Sequence, residues 1–446
     1  MMDAPNASAR RWTDSATEGN MTTGNHRKHV LLLLSPLTYR AGAFLAAVER
    51  LDLAVTKGVD MPRSLADYWQ QPFGLDFNRP DETVATIAAQ AQTTPFDAII
   101  SVDDSASLLA AQASAALGLP HNAPAAALAA RDKRVMREAL RAGGVPVPEF
   151  TPCHLSDDPA ALAATVAYPC VIKPVLLSGS RGVIRANDPT EFVAAFGRLH
   201  RMLVGEGMDP AQTTVLIEEF IPGVEVALEG LLTDGELRVL ALFDKPDPLD
   251  GPFFEETIYV TPSRLPEATQ AAIAEATVAA ARALGLRTGP IHAELRVNER
   301  GPWLVEIAGR SIGGRCSSVL EFGAGMSLEE LILRHAVGLP LDSLDRAGDA
   351  AGTMMIPIPG AGILTGVSGE EAAAAVPHIT GVEISAQIGG RLVPLPEGAA
   401  YLGFIFARAA DPATVEAALR EAHAQLHFAI KTEIPIRAAA LARGGA

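Results

Sequence analysis

The stretch IHAELRVNERGPWLVEIAGRSIGGR, residues 291–315, sets Glu294 and Glu306 on either side of a turn and follows them with Arg310, Gly313 and Gly314. The runs IHAELRV and PWLVEI have the composition of strands and NERG that of a turn, so the segment predicts a β-hairpin. A three-residue loop of Glu299, Arg300 and Gly301 supplies glycine where a left-handed backbone is needed and pairs Asn298 with Pro302. Glu294 then lies opposite Glu306. Cross-strand partners hold their Cβ atoms roughly 4.5–5.5 Å apart, where two carboxylates repel by about 3 kcal/mol in a partly screened environment. Such a pair calls for a cation, and Mg²⁺, which prefers carboxylate and phosphate oxygens, answers it. A two-residue loop would instead send the two side chains to opposite faces and leave solvated glutamates on a surface hairpin.

A second group of residues can handle phosphate. Lys173 stands in the apolar run PCVIKPV, where a buried ammonium needs an anion. The loop after it, LSGSRGV, offers Ser178, Gly179, Ser180 and Gly182, whose amides can approach phosphate oxygens closely. It lacks G-K-[ST], and the VIRAND that follows reads as a strand, which excludes a Walker A loop and a dinucleotide fingerprint. Taken alone, a glycine turn beside a snorkelling lysine is the commoner meaning. Further on, VLIEEFIPGVEVALEG joins two strands through Pro-Gly and carries Glu218, Glu219, Phe220, Ile221 and Glu225. Extended backbone there can pair with an adenine edge, and Glu225 can accept from ribose hydroxyls; a charged edge strand is the alternative.

The elements that must position these residues follow from hydrophobic period. From His29, short apolar strands alternate with Ala-rich helices, as in KHVLLLLS, YRAGAFLAAVERL and FDAIISVDD, which predicts a parallel sheet flanked by helices over residues 28–125. The helix DKRVMREALRAGG, opening near Lys133, starts a unit that runs over 126–345, with a small lobe at about 148–222. DSLDRAGDAAG reads as a linker, and a small α+β unit is expected over 350–437. Residues 1–27 are polar and lack a hydrophobic signal core, so a disordered tail is expected, with Met21 as an alternative start to Met1.

Composition narrows the class. A chain of 446 residues, 48% of them hydrophobic, buries a sizeable core. Its net charge of −16 argues against nucleic acid or an anionic membrane as the main partner, so any phosphate site must be local. Cys153, Cys170 and Cys316 show no metal-ligand spacing and suit a reducing cytoplasm.

The order of these features resembles the ATP-grasp superfamily: a lysine at a helix start, a lysine before a glycine loop, E-E-F-x-P-G-x-E, then an acidic hairpin followed by arginine and glycines. The resemblance covers about residues 126–340 closely and the first domain in pattern. It implies ATP held between two α+β lobes behind an N-terminal parallel-sheet domain. Lys133 and Lys173 would touch phosphates, and the loop from Ser178 to Gly182 would close over them. Glu218 and the backbone from Glu219 to Ile221 would bind adenine, Glu225 the ribose, and Glu294 and Glu306 the Mg²⁺, with Mn²⁺ as a substitute. The chain departs from the family's E-[IV]-N-x-R at Ala308, in EIAGR. L-amino acid ligases are similar here, sharing Glu306, Arg310 and Gly313, and their small terminal domain resembles residues 350–430. FFEETIYVTPSRLP resembles the F-x-E-T-G-H-x-x-P element at Glu256 and Pro262, with Tyr259 in place of histidine.

The implied activity is carboxylate–amine ligation. ATP converts a carboxylate to an acyl phosphate, Arg310 holds the developing oxyanion with help from the amides of Gly313 and Gly314, and Glu256 receives the amine. An ion pair of Arg310 with Glu294 or Glu306 is the structural alternative, and His292, on the face of Glu294, is expected as a satisfied core histidine, with support of the metal ligand as the alternative. The expected substrates are amino acids and the expected assembly a homodimer. A purine-pathway ligase, a biotin-dependent carboxylase subunit and a non-catalytic ATP-binding protein are the competing readings.

Overall fold

In the computed structural model the described residues are 27–36, 38–69, 73–398 and 400–432. The tail expected over 1–27, with both candidate start methionines, lies outside them except for Arg27, as do residues 433–437 of the expected terminal unit. A four-stranded parallel sheet opens the fold, ordered Gly74–Leu75, Ala54–Asp60, His29–Leu34, Ala98–Ser101. Residues 30–33 of its central strand are fully buried because helices cover both faces, which is why that strand reads as an unbroken apolar run.

The helix Lys133–Ala142 begins where Asp132 caps it by accepting from the Arg134 and Val135 amides. Its buried positions, Lys133, Met136, Arg137 and Leu140, fall on one stripe at helical spacing, and two of the four are cations. The small lobe is a four-stranded antiparallel sheet, ordered Phe150–His154, Thr214–Glu219, Cys170–Pro174, Ile184–Ala186. The helix Pro189–Gly205 backs it, packing Phe192, Phe196 and Leu199 onto Ile172, Ile184 and Ile217.

The remaining scaffold is one eight-stranded sheet. Its order is Gly301–Ala308, Gly289–Asn298, Val224–Thr233, Glu236–Lys245, Ile258–Thr261, Ala350–Ile356, Gly403–Ala409, Ile379–Ile384. The C-terminal unit therefore contributes three strands to the sheet that carries the acidic hairpin, and it adds a separate three-stranded sheet of Arg391–Leu392, Gly362–Ser368 and His427–Lys431. The expected linker DSLDRAGDAAG is corrected at its end, since Ala350, Ala351 and Gly352 begin a buried strand. A Cβ at Gly352 would stand 2.8 Å from Tyr259 O and from Val415 Cγ1, so close packing selects small residues that imitate a linker in composition.

Candidate active site

The hairpin loop is shorter than its sequence suggested. Asn298 pairs with Gly301, which leaves a two-residue loop, Glu299 and Arg300, and corrects the expected pairing of Asn298 with Pro302. In a regular ladder this loop would set Glu306 on the wrong face. The register shifts between Glu294 and Leu295, so that Leu295 pairs with Leu304, Glu294 with Glu306, and Val305 is the extra residue of a bulge. Arg137, fully buried, donates from Nη2 to the Val305 carbonyl at 2.8 Å and so satisfies the acceptor that the bulge exposes.

Both glutamates face cations of the chain itself. Lys133 Nζ lies 3.0 Å from Glu306 Oε2 and donates to Leu177 O at 2.8 Å. Lys245 Nζ lies 2.8 Å from Glu294, 2.8 Å from Glu225 and 2.6 Å from Glu256. Among the described residues, Glu225, Glu256 and Glu294 bring ligand oxygens within 4.8 Å of one another. Burial pushes Glu256 up to about 7, and Glu294 adds to the effect. Burial also opposes charge on Lys245, but the three carboxylates hold its pKa well above the usual value. His292 is not a plain core histidine: Nδ1 meets Glu229 at 2.5 Å and Nε2 meets Glu294 at 3.3 Å. Burial favours its neutral form, yet these two carboxylates hold it up to about 9. These crowded, hard oxygen donors, which the chain already neutralises with buried ammonium groups, fit a Mg²⁺ ion.

At the other end of the cleft, Arg137 and Lys173 share the one carboxylate of Glu218, at 2.7 and 2.5 Å. Burial alone would raise Glu218, but the two cations hold it down to about 2. Burial lowers Lys173 to about 8 even against the pull of Glu218. Two cations facing one carboxylate leave a positive charge for an incoming anion. Glu218 thus orients Lys173, rather than standing free to meet a base. The amides of Glu219 and Phe220 already donate to Glu149 O and Pro169 O, and Ile221 O accepts from Arg296 at 2.8 Å. Glu225 is buried between Arg296 Nε at 2.9 Å and Lys245. Arg296 also lies over the Phe220 ring, 5.0 Å from its centroid.

Arg310 pairs with neither Glu294 nor Glu306. Its nearest acid is Asp104, 3.9 Å away, delivered by the first domain just beyond the strand Ala98–Ser101. The loop after the hairpin is held where Ile312 N donates to Glu229 Oε2 at 2.9 Å. The Gly314 amide, expected to assist an oxyanion, instead donates to the Tyr39 hydroxyl at 2.7 Å. Arg40 donates to Ser311 Oγ at 2.5 Å, so Tyr39 and Arg40 bring the first domain into the site.

One cavity of about 300 Å³ gathers these groups. It is lined by every candidate catalytic, nucleotide-binding and metal residue from the sequence except Gly182. Gly182 donates instead to Pro396 O at 2.8 Å, at the back of the glycine loop. Sequence reasoning missed Lys245, Arg137, Arg296 and Asp104. Lys245 had a signal, because it ends the apolar strand in LRVLALFDK much as Lys173 ends its own. Asp104 had none.

Comparison with known proteins gives the family. Family models match in three places: the ATP-grasp N-terminal domain at residues 51–121, the ATP-grasp domain at 166–319, and L-amino acid ligase C-terminal domain 2 at 354–431. Alanine–anticapsin ligase of Bacillus subtilis (strain 168) is 29% identical over 331 residues, 69% of each chain. A D-alanine–D-alanine ligase of Ralstonia pickettii is 26% identical over 238 residues, 50% of this chain and 69% of the relative. The solved L-amino acid ligase of Bacillus licheniformis superposes with a TM-score of 0.73 at 25% identity, covering 91% of this chain and 99% of that one. The chain belongs to the ATP-grasp superfamily. It is an ATP-dependent ligase of the L-amino acid ligase kind, forming an amide bond between a carboxylate and an amine.

Proposed function

We propose that this ligase joins two amino acids through an acyl phosphate, releasing ADP and phosphate. The observation that carries the reading is the bulged hairpin, which sets Glu294 against Glu306 four residues before Arg310 in a cleft also lined by Lys133 and Lys173. Bound Mg²⁺, held by Glu294 and Glu306, would neutralise phosphate charge. Lys133 and Lys173 bind the phosphates, and the loop from Ser178 to Gly182 covers them. The Ile221 amide and nearby carbonyls read the adenine, beside the Phe220 ring. Glu225 stands at the ribose end, steadied by Arg296. Arg310, forked and always cationic, holds the acyl phosphate and then the tetrahedral oxyanion, with the Gly313 amide assisting it. Glu256, with its pKa near neutrality, accepts a proton from the incoming ammonium.

Neighbours in the fold include purine-pathway synthases, but at 13–17% identity they support the architecture alone. Three buried free thiols support action in a reducing cytoplasm, and a homodimer is expected from the family. No helix among the described residues is long and apolar enough to cross a membrane, and the acidic net charge favours small-molecule partners over nucleic acid. The test is phosphate release from Mg·ATP with amino acids offered singly and in pairs, with Glu306→Ala as control. Release that depends on a pair and vanishes in the variant supports the reading. If no amino acid pair stimulates release while ATP still binds, the reading is overturned.

A further inference from the structure

The glycine loop does not hang free from the small lobe. Its last glycine, Gly182, has a left-handed φ of +73° and donates to the Pro396 carbonyl at 2.8 Å. Arg181 Nε donates to the Glu397 carbonyl at 2.8 Å. The Glu397 carboxylate takes two parallel bonds from Arg198, at 2.6 Å from Nε and 2.8 Å from Nη2. Arg198 lies on the helix Pro189–Gly205, which backs the small lobe. A turn of the C-terminal unit therefore grips both the base of the loop and the helix behind it.

The turn is built to hold that position. Gly398 N donates to Pro394 O at 2.9 Å, and a Cβ at Gly398 would fall 1.7 Å from Val393 O, so only glycine lets the chain fold back here. The grip also leaves little slack on the loop side, because a Cβ at Gly182 would meet Leu199 and Pro174 at 3.0–3.1 Å.

We propose that Glu397 is a positioning residue for nucleotide binding: its carboxylate, paired with Arg198, holds the turn whose Pro396 and Glu397 carbonyls grip Gly182 and Arg181, and so fixes the glycine loop in place over the phosphates. The inference rests on the reading that this loop covers ATP. Opening the loop away from the turn would break two bonds to backbone carbonyls, while the bidentate ion pair keeps the turn beside the small lobe. Nucleotide affinity then depends on a residue that does not line the nucleotide cleft. The Arg198–Glu397 pair is about 40% exposed on both sides, so its effect is modest and salt-sensitive.

The experiment is calorimetric titration of Mg·ADP into the full-length wild type, Glu397→Ala, Arg198→Ala, and the charge swap Arg198→Glu with Glu397→Arg. Hydrogen exchange of residues 178–183 and thermal unfolding are measured on the same samples. Each single variant should bind Mg·ADP about 3- to 10-fold more weakly, with faster exchange in the loop and an unchanged unfolding midpoint. The swap should recover part of both. At saturating ATP, the KM for the amino acid substrates should not move. Unchanged affinity and unchanged loop exchange in both single variants overturn the proposal while leaving the ATP reading intact. If Glu397→Ala fails to fold, Arg198→Ala alone decides. A wild type that binds no Mg·ADP overturns the ATP reading, and the positioning role with it.

Discussion

Arg137 and Val305 are joined by one hydrogen bond, from Nη2 to the bulge carbonyl at 2.8 Å, and the facing of Glu294 and Glu306 is built on it. The same guanidinium fixes Glu218, which in turn orients Lys173. One buried arginine thus organises the acidic and the basic ends of the cleft.

Replacing Arg137 by Leu should cost about 3–5 kcal/mol of stability, because it removes one partner of a buried charge and strands a carbonyl. Urea unfolding measures the loss. A change below about 1 kcal/mol would show that the bulge holds itself.

Lys245→Met leaves Glu225, Glu256 and Glu294 crowded without their cation. The variant should lose amide-forming activity and several kcal/mol of stability at low divalent-ion concentration. Added Mg²⁺ should raise its unfolding midpoint more than it raises that of the wild type, since the ion can replace the lost charge. Equal shifts in the two proteins would argue against Glu294 as a metal ligand.

Nucleotide affinity should depend on pH through Lys173. Burial lowers this lysine to about 8, and only its protonated form attracts phosphate. Affinity should therefore be level below about pH 7, then fall as pH rises through about 8. Lys173→Arg should remove the decline, because a guanidinium keeps its charge in that range. Calorimetry between about pH 6.5 and 9.5 decides, and a decline that persists in the variant places the titration elsewhere.

Tyr39→Phe removes the acceptor of the Gly314 amide without altering the ring that packs 5.7 Å from Phe404. The loss of one largely buried hydrogen bond should lower kcat/KM by about 5-fold, roughly 1 kcal/mol. Nucleotide affinity should stay the same, because the residue lies at the substrate end. A change in Mg·ADP binding would contradict that placement.

How much was legible in the sequence varies along the chain. The parallel first sheet was readable because its central strand is buried on both faces and its apolar run is continuous. Lys173, Glu294, Glu306 and Arg310 were readable because ionised side chains in strand-like or glycine-rich runs need partners. The hairpin loop was misread by one residue: glycine tolerates either loop length, and a bulge leaves no local signature once a distant arginine supplies its hydrogen bond. The Ala-Gly start of the strand at Ala350 looked like a linker because close packing and flexibility favour the same small residues.

Local periodicity and the cost of burying charge determined, from sequence alone, which segments are strands or helices and which residues must meet a partner. Tertiary structure decided who those partners are. Lys245 finds three glutamates from three separate segments, Arg310 finds Asp104 from the first domain, and the glycine loop finds a turn more than two hundred residues later. These pairings depend on sheet order and on the docking of units, which are set by the packing of the whole core and leave no pattern in the residues on either side.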